Sequence, residues 1–241
     1  MWWARSKPVD LYLSGGQAVL RLPQAVPRSA QGEQCQQGPQ GSQGMQRLAL
    51  GPAEPWAHAL LPWMTKTVPR GTRWHIWLGG RLSRLQTEAP IAGVSSIEQA
   101  EAALDAANAS QFPGWQHRLS WWPQPGPQWL VASLPAELLG LEALLTEYGH
   151  SLQSLRPWWS GLGLSSKADW AVMDDEAITC CRWQSGVPTQ AASWPLPADA
   201  AQQQAVLQRL ASGRPLSCWR LSLEEPRRLG FAARRVVSDV E

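Results

Sequence analysis

The sequence predicts an α/β protein built from two mixed-sheet lobes with flanking helices, and three observations lead to this expectation. Short β-prone runs precede amphipathic helical segments at least twice along the chain. Turns rich in Gly, Pro and Asp separate these runs. The 241 residues are 44% hydrophobic and 17% charged, which is typical of a folded chain that can bury one large core or two smaller ones. We place the lobes at residues 1–125 and 126–241.

The first lobe is predicted to begin with a β-hairpin. Residues 9–13 and 18–22 are β-prone runs, and Ser14-Gly15-Gly16-Gln17 between them supplies the positive φ angles of a tight turn. Residues 28–46 are rich in Gln and Gly with few apolar side chains, so we expect a flexible loop there. The helix predicted over residues 54–66 contains Pro62, which should kink or shorten it.

Further strands of this lobe are predicted at residues 46–50, 73–78, 82–86 and 117–122. The Gly79-Gly80 pair is interpreted as a second hairpin turn rather than a phosphate loop, because it belongs to no Gly-rich nucleotide motif. Ser95-Ser96-Ile97-Glu98 resembles a capping box and predicts the start of a helix that runs to about residue 109.

The second lobe is predicted to repeat the pattern of strands followed by helices. After a strand at 128–133, Pro135 suits the start of a helix that ends at Gly149. This helix is expected to turn its apolar side chains inward, namely Leu138, Leu141, Leu144, Leu145 and Tyr148. Later strands are predicted at residues 151–155, 170–173, 178–183, 189–194 and 216–223. Asp199 with Gln202 predicts the cap of a last helix, and the basic segment 227–235 is expected to be an exposed tail or an edge.

Charge and hydropathy exclude several classes of partner. The net charge is +2 and the isoelectric point is about 8.5, which is too mild for a nucleic-acid footprint. Apolar runs fall well short of the roughly 20 residues that span a bilayer, and the first residues lack a secretory pattern. We therefore expect a cytoplasmic protein with no direct membrane insertion. The four cysteines, which show no CxxC spacing, are expected to be buried or idle thiols.

Tryptophan is the unusual residue of this chain, with 16 copies against two Tyr and two Phe. Trp combines a large apolar area with one N–H donor, so it suits both cores and protein interfaces. The pair Trp158-Trp159 follows Pro157 in a short irregular stretch, and we select it as the candidate interaction site. The alternative is that the pair anchors the core between the lobes.

The region 128–194 carries a series of features in a recognisable order. A strand ends in Ser133-Leu134-Pro135, a Leu-rich helix ends at Tyr148-Gly149-His150, the next strand runs into Pro157, and a meander follows. This order resembles the actin-like (RNase H-type fold) proteins of type IV pilus and type II secretion assembly, of the PilM, MshI and GspL cytoplasmic-domain kind. The resemblance implies an actin-like fold and a role in binding other proteins. It implies as partners the cytoplasmic tail of an inner-membrane pilus or secretion component and, in some members, an assembly ATPase.

Two loops correspond in outline to the nucleotide loops of such proteins. The first is Ser14-Gly15-Gly16, which lacks a metal-organising Asp, so only its backbone N–H groups could cradle phosphate. The second runs from Asp174 to Thr179 and brings three carboxylates without a Gly or a basic partner, which would repel a triphosphate. We therefore interpret both as degenerate nucleotide loops and expect no cofactor, with ATP as the ligand they leave open.

No catalytic or metal-binding set is predicted. The acidic triplet Asp174-Asp175-Glu176 could serve an RNase H-type nuclease only together with Asp10 and with Glu98 or Glu101, and a polar hairpin turn explains it more simply. The four histidines are isolated from one another and match no catalytic motif. The expected function is a non-catalytic adaptor or scaffold at the inner membrane. The alternatives are a weak ATPase, an RNase H-type nuclease, or an orphan interaction protein with this fold.

Overall fold

A computed structural model describes residues 8–22, 44–50, 56–121, 128–164, 167–211, 213–223 and 232–236. Within these ranges the strands are β1 Val9–Leu13, β2 Gln17–Arg21, β3 Met45–Ala49, β4 Arg73–Leu78, β5 Arg84–Glu88, β6 Trp115–Trp121, β7 Trp129–Pro135, β8 Ser151–Pro157, β9 Asp169–Met173, β10 Ala177–Gln184, β11 Val187–Pro195, β12 Leu216–Ser222 and β13 Ala232–Val236. The α-helices are α1 Trp56–Thr67, α2 Ile97–Asn108, α3 Leu141–Glu147 and α4 Ala200–Ala211. Two 3-10 helices lie at Ala136–Gly140 and Trp158–Leu162.

Two five-stranded sheets share one pattern of strand order. The first sheet runs β3-β2-β1-β4-β8 and the second runs β11-β10-β9-β12-β13. In each, three antiparallel strands formed by two successive hairpins are followed by a parallel strand, β4 beside β1 or β12 beside β9. The fifth strands differ, because β8 is parallel to β4 whereas β13 is antiparallel to β12. The fold therefore duplicates one mixed α/β unit, as the two-lobe prediction required.

A third sheet, of order β5-β7-β6, is packed against α2. Carboxylates on α2 accept hydrogen bonds from the backbone of the edge strand β6: Asp105 from the N–H of His117 at 2.6 Å and Glu101 from the N–H of Leu119 at 3.0 Å. Backbone groups at a sheet edge otherwise invite pairing with another strand. Helix α2 therefore closes this edge of the small sheet.

The sheet pairing revises the predicted lobe boundary. The division between residues 125 and 126 falls between β6 and β7, which are hydrogen-bonded neighbours in the third sheet. Strand β8, well beyond that division, completes the first sheet by pairing with β4. The topology therefore favours a boundary after Pro157, because a strand belongs to the sheet whose backbone groups it satisfies.

The Gly79-Gly80 turn is not the hairpin that we predicted. Strand β4, which precedes it, belongs to the first sheet, whereas β5, which follows it, belongs to the third. The Gly79 N–H donates to the carbonyl of Leu13 at 2.7 Å, so the turn is held against the end of β1. The pair of glycines thus marks a passage between sheets.

Helix α1 continues through Pro62 to Thr67, so the predicted shortening did not occur. The lost backbone hydrogen bond is outweighed by the burial of Leu60, Leu61 and Met64 in the core of the first sheet.

The predicted helix 135–149 begins instead as the 3-10 helix at Ala136–Gly140 and becomes α3 at Leu141. Leu138, Leu141 and Leu145 are fully buried, but Tyr148 is 40% exposed, contrary to the prediction. It follows the last helical residue, where the chain turns toward Gly149 and no longer follows the helical stripe.

The remaining predictions differ in small ways from the structure. The cap of α2 is Ser96, whose side chain accepts from the Gln99 N–H at 3.3 Å. The helix thus begins one residue later than a capping box between Ser95 and Glu98 would place it. Strand β3 begins at Met45, so the loop predicted over 28–46 is shorter at its end, and residues 28–43 lie outside the described ranges. Of the basic segment 227–235, residues 232–235 belong to the edge strand β13, and residues 227–231 are outside the described ranges.

Candidate functional site

The turn between β9 and β10 brings its three carboxylates, Asp174, Asp175 and Glu176, against the first sheet, and we call it the acidic turn. It reaches both glycine pairs: Glu176 meets Gly15 and Asp174 meets Gly80. Residues separated by 161 and 94 positions in the chain are thereby joined. The acidic turn and the two glycine turns form the candidate site.

Asp174 is the buried centre of this site, with 7% of its surface exposed. Its Oδ1 accepts from the backbone N–H groups of Glu176 and Ala177 at 2.9 and 2.8 Å. Its Oδ2 accepts from the Gly80 N–H at 2.6 Å and from the Trp158 Nε1–H at 2.9 Å. Burial raises the pKa of this carboxyl, and the backbone donors limit that rise. One carboxylate therefore satisfies four N–H donors from three parts of the chain.

Asp175 binds the side chains of the first hairpin. Its Oδ1 accepts from the Tyr12 hydroxyl, and its Oδ2 accepts from Ser14 Oγ at 3.2 Å and Gln17 Nε2 at 2.6 Å. Burial, with Asp174 and Asp175 nearby, raises the pKa of Tyr12 well above its ordinary value, so this tyrosine stays neutral and able to donate.

Glu176 takes the amide that could have cradled a phosphate. Its Oε2 accepts from the Gly15 N–H at 2.9 Å, and a side chain at Gly16 would lie 3.4 Å from its Oε1. Burial raises the pKa of the Glu176 carboxyl, and Asp175 adds to this, while the Gly15 N–H and the Arg81 guanidinium oppose it. A carboxylate of the chain itself thus occupies the anion-binding side of the first glycine turn.

The Gly79-Gly80 turn leaves no room for side chains. A Cβ on Gly79 would lie 2.5 Å from the Tyr12 hydroxyl, and one on Gly80 would overlap the Cβ of Ala177 and lie 3.1 Å from Asp174 Oδ2. Real Cβ atoms essentially never approach a neighbour more closely than 3.0 Å. Gly79 is therefore required for close approach to the end of β1, and Gly80 for close approach of the second sheet.

A tryptophan-rich core lies between the first and second sheets. It joins side chains of both five-stranded sheets, the third sheet and the 3-10 helix at 158–162. Its aromatic members are Tyr12, Trp77, Trp158, Trp159, Trp170 and Trp183, and Trp219 packs against them. The rings of Trp159 and Trp170 are 5.7 Å apart between centroids. Much of the unusual tryptophan content thus fills the space between the lobes.

The predicted interaction pair Trp158 and Trp159 belongs to this core. Only 2% and 8% of their surfaces are exposed, so they do not form a contact surface, and the alternative that they anchor the lobes is what the structure shows. The N–H of Trp158 is further committed to Asp174. The physical reason is that β8 pairs within the first sheet, and the 3-10 helix that follows it packs into the core between the first and second sheets.

The predicted loop residues are brought together in part. Ser14, Gly15 and Asp174 belong to one hydrogen-bond network, whereas Thr179 does not join it. The Thr179 hydroxyl lies 2.8 Å from Ser193 Oγ, which also accepts from the Leu85 N–H at 3.0 Å. Ser193 therefore links the second and third sheets, and Thr179 supports it from the neighbouring strand.

Sequence reasoning missed Tyr12, Gln17, Gly80 and Arg81 as members of the site. The signal for Gly80 was a second Gly-Gly pair directly after a buried strand, which we interpreted as a hairpin. Tyr12 and Gln17 carried no recognisable signal, because their role depends on a carboxylate more than 150 residues away.

The alternative nuclease set is not assembled. Asp10 accepts from Trp77 Nε1 at 2.8 Å inside the fold, and Glu101 accepts from the Leu119 N–H of β6 at 3.0 Å. Within the described ranges, no group of three His, Cys, Asp or Glu residues is placed to hold a metal ion.

Cys180, Cys181 and Cys218 are buried and free, and burial raises the pKa of Cys180 to about 11, so these thiols are protonated at neutral pH.

Comparison with known proteins gives likeness in structure but not in sequence. No protein-family model and no curated protein matches the chain. The cytoplasmic domain of EpsL, an inner-membrane component of the type II secretion system of Vibrio cholerae, is similar with a TM-score of 0.51 at 12% identity, over 88% of this chain and 81% of that one. A Bacteroides thetaiotaomicron protein of unknown function with an actin-like ATPase fold gives a TM-score of 0.48 at 10% identity, over 86% and 76%.

A chain of the PilM–PilN type IV pilus biogenesis complex gives a TM-score of 0.47 at 12% identity, over 86% of this chain and 66% of that one. The duplicated strand order and the likeness to EpsL together confirm the predicted actin-like α/β fold. At these identities the likeness concerns the fold alone. Among the described residues, no helix is long and apolar enough to cross a membrane.

Proposed function

We propose that this protein is a non-catalytic cytoplasmic adaptor of a type IV pilus or type II secretion-like assembly machine. It binds a short cytoplasmic segment of an inner-membrane partner and is held peripheral to the inner membrane through that partner. An assembly ATPase is a second candidate partner. The fold shared with the EpsL cytoplasmic domain, together with the resemblance of region 128–194, supports this proposal.

One observation carries the non-catalytic part of the proposal. The N–H donors of Gly15 and Gly80, which face the second sheet, are taken by Glu176 and Asp174 of the same chain. A phosphate group would have to displace both carboxylates and would meet the remaining negative charge of Asp175. Binding without turnover is the function that this geometry supports best.

Sheet edges support the binding of an extended segment. Both edges of the third sheet are already in contact with other parts of the chain. Helix α2 covers the outer edge of β6, and on β5 the Leu85 N–H donates to Ser193 Oγ. Strands β3 and β8 remain as the two ends of the first sheet, and exposed or half-exposed side chains run along both. A peptide can add to such an edge through main-chain hydrogen bonds.

We expect the protein to co-purify with a bitopic inner-membrane protein encoded by a neighbouring gene. The measurement is co-expression of the full chain with each candidate, followed by affinity purification in detergent. The control is the same candidate without its cytoplasmic segment, which should not be recovered. Failure to recover any pilus or secretion component, or recovery that does not depend on the segment, would contradict the proposal and favour the orphan interaction protein.

We expect no saturable binding of Mg-ATP, because the N–H donors of Gly15 and Gly80 are already bound to carboxylates of the chain. Isothermal titration calorimetry on the wild-type protein measures this directly, with EDTA-ATP as the metal control. Saturable binding would overturn the non-catalytic assignment in favour of a weak ATPase. Metal-dependent cleavage of an RNA–DNA hybrid that is lost in Asp174→Asn would instead favour the nuclease.

A further inference from the structure

The acidic turn is a dense group of like charges at a contact between two sheets. Three consecutive carboxylates of the second sheet face the first sheet and its flanking turns. The titratable or charged groups that act on them from the surrounding elements are Tyr12 of β1 and Arg81 of the connection between β4 and β5. The neutral donors are Ser14, Gly15, Gln17, Gly80 and Trp158.

The charges in this contact are not balanced. Three acids meet one guanidinium, that of Arg81, which acts on Glu176. Tyr12 is neutral and contributes only a hydrogen bond. When all three carboxylates are ionised, two of the negative charges have no balancing cation among the described residues of this half-buried contact, where repulsion is screened less than in water.

The same contact holds the two sheets together at the glycine turns. Asp174 bridges to Gly80 of the first-sheet connection and to Trp158 of the 3-10 helix, and Glu176 bridges to Gly15 of the first hairpin. Loosening the acidic turn would therefore free the Gly15 and Gly80 amides together. These two amides report on the state of the contact.

We propose that the acidic turn is a proton-operated latch between the two five-stranded sheets. Uptake of a proton by the turn relieves the repulsion among its carboxylates and tightens the contact, and full ionisation loosens it. The latch would make access to the space between the sheets depend on pH. This inference does not require the proposed adaptor function, because it concerns the contact itself.

The direction of the pH effect follows from the two raised carboxyl pKa values. Burial raises the pKa of both Asp174 and Glu176 in the folded chain. A carboxyl that binds its proton more tightly when folded adds stability fully below its ordinary pKa and loses that contribution as pH rises through the raised pKa. The closed contact should thus be firmer in mild acid than at neutral or alkaline pH.

Amide hydrogen exchange followed by NMR tests the latch on the full wild-type chain. We expect protection of the Gly15 and Gly80 amides, corrected for intrinsic exchange, to fall between pH 5 and pH 8, because the raised carboxyl pKa values favour the closed contact in acid. Glu176→Gln keeps an oxygen acceptor for Gly15 and removes one charge. In this variant, the Gly15 and Gly80 amides should be as well protected at pH 8 as they are in the wild type at pH 5.

Two further variants complete the test. Glu147→Gln, on the exposed side of α3, is the matched control and should leave the exchange of both amides unchanged. Arg81→Gln removes the balancing cation and should lower protection at pH 8, so it tests the latch even if Glu176→Gln folds poorly. Wild-type protection that is the same at both pH values, or an unchanged pH slope in both latch variants, would overturn the proposal.

Discussion

Gly80→Ala should lower the free energy of unfolding by about 1 to 3 kcal/mol, because its methyl group has no space between the two sheets. The new Cβ would overlap Ala177 Cβ at the start of β10 and press on Asp174 Oδ2. The Ala177 Cβ is bonded directly to the backbone, and the buried Asp174 carboxylate is held by four hydrogen bonds, so neither neighbour can move aside easily. The sheets must separate, or the Gly80 hydrogen bond to Asp174 must break. Chemical denaturation followed by circular dichroism measures the loss.

A double-mutant cycle isolates the contact that causes this loss. Ala177→Gly removes the methyl group that Gly80→Ala would meet, so the double variant should recover much of the lost stability. Gly140→Ala is the matched control, since Gly140 has an ordinary negative φ and no atom within 4 Å of the position of a Cβ. Equal losses in Gly80→Ala and Gly140→Ala, or no recovery in the double variant, would mean that the two sheets do not meet at this point.

Asp174→Ala should cost about 3 to 5 kcal/mol of folding free energy, the second large effect that we expect. The substitution leaves four N–H donors without their acceptor, and those of Gly80, Ala177 and Trp158 are in buried contacts. Each buried donor that loses its partner costs about 1 to 3 kcal/mol, less where water can enter. Thermal and denaturant unfolding of the purified variant measure the change.

Two substitutions separate this hydrogen-bond role from a general effect of charge. Asp174→Asn keeps one carbonyl oxygen, so it should recover part of the stability lost in Asp174→Ala. Asp175→Asn alters an exposed side chain, keeps an oxygen acceptor for the buried Tyr12 hydroxyl and removes one of three like charges, so it should cost about 1 kcal/mol or less. If Asp175→Asn proves as damaging as Asp174→Ala, the buried donors of Asp174 are not the cause.

Local sequence patterns predicted most of the elements because their causes are local. The hairpin of β1 and β2 follows from two β-prone runs on either side of a short turn, although neither Gly15 nor Gly16 has the positive φ angle that we predicted. The meander β9 to β11 follows from runs separated by polar turns. Helix α4 begins after Asp199, whose carboxylate accepts from the Gln202 N–H as predicted. These features depend on residues within a few positions of one another.

Sheet membership could not be obtained in this way. Nothing near Gly79-Gly80 distinguishes a hairpin turn from a passage between sheets, because the distinction depends on which distant strand satisfies the backbone of β5. The same holds for β8, which pairs with β4 although the whole third sheet and the helices α2 and α3 lie between them in the chain. The lobe boundary at residue 125 followed from chain order, whereas strands are assigned by hydrogen bonding.

The sequence alone determined the α/β class and the order of strands and helices, and it led us to predict that the chemistry of two loops is unsuitable for nucleotide. Only the tertiary structure decided that these loops meet, that Glu176 and Asp174 take the amides of Gly15 and Gly80, and that Trp158 is an anchor and not a contact surface. The reason is physical. Carboxylates and amides so far apart in the chain carry no local preference for each other, and they pair only when the packing of both sheets brings them within hydrogen-bond distance.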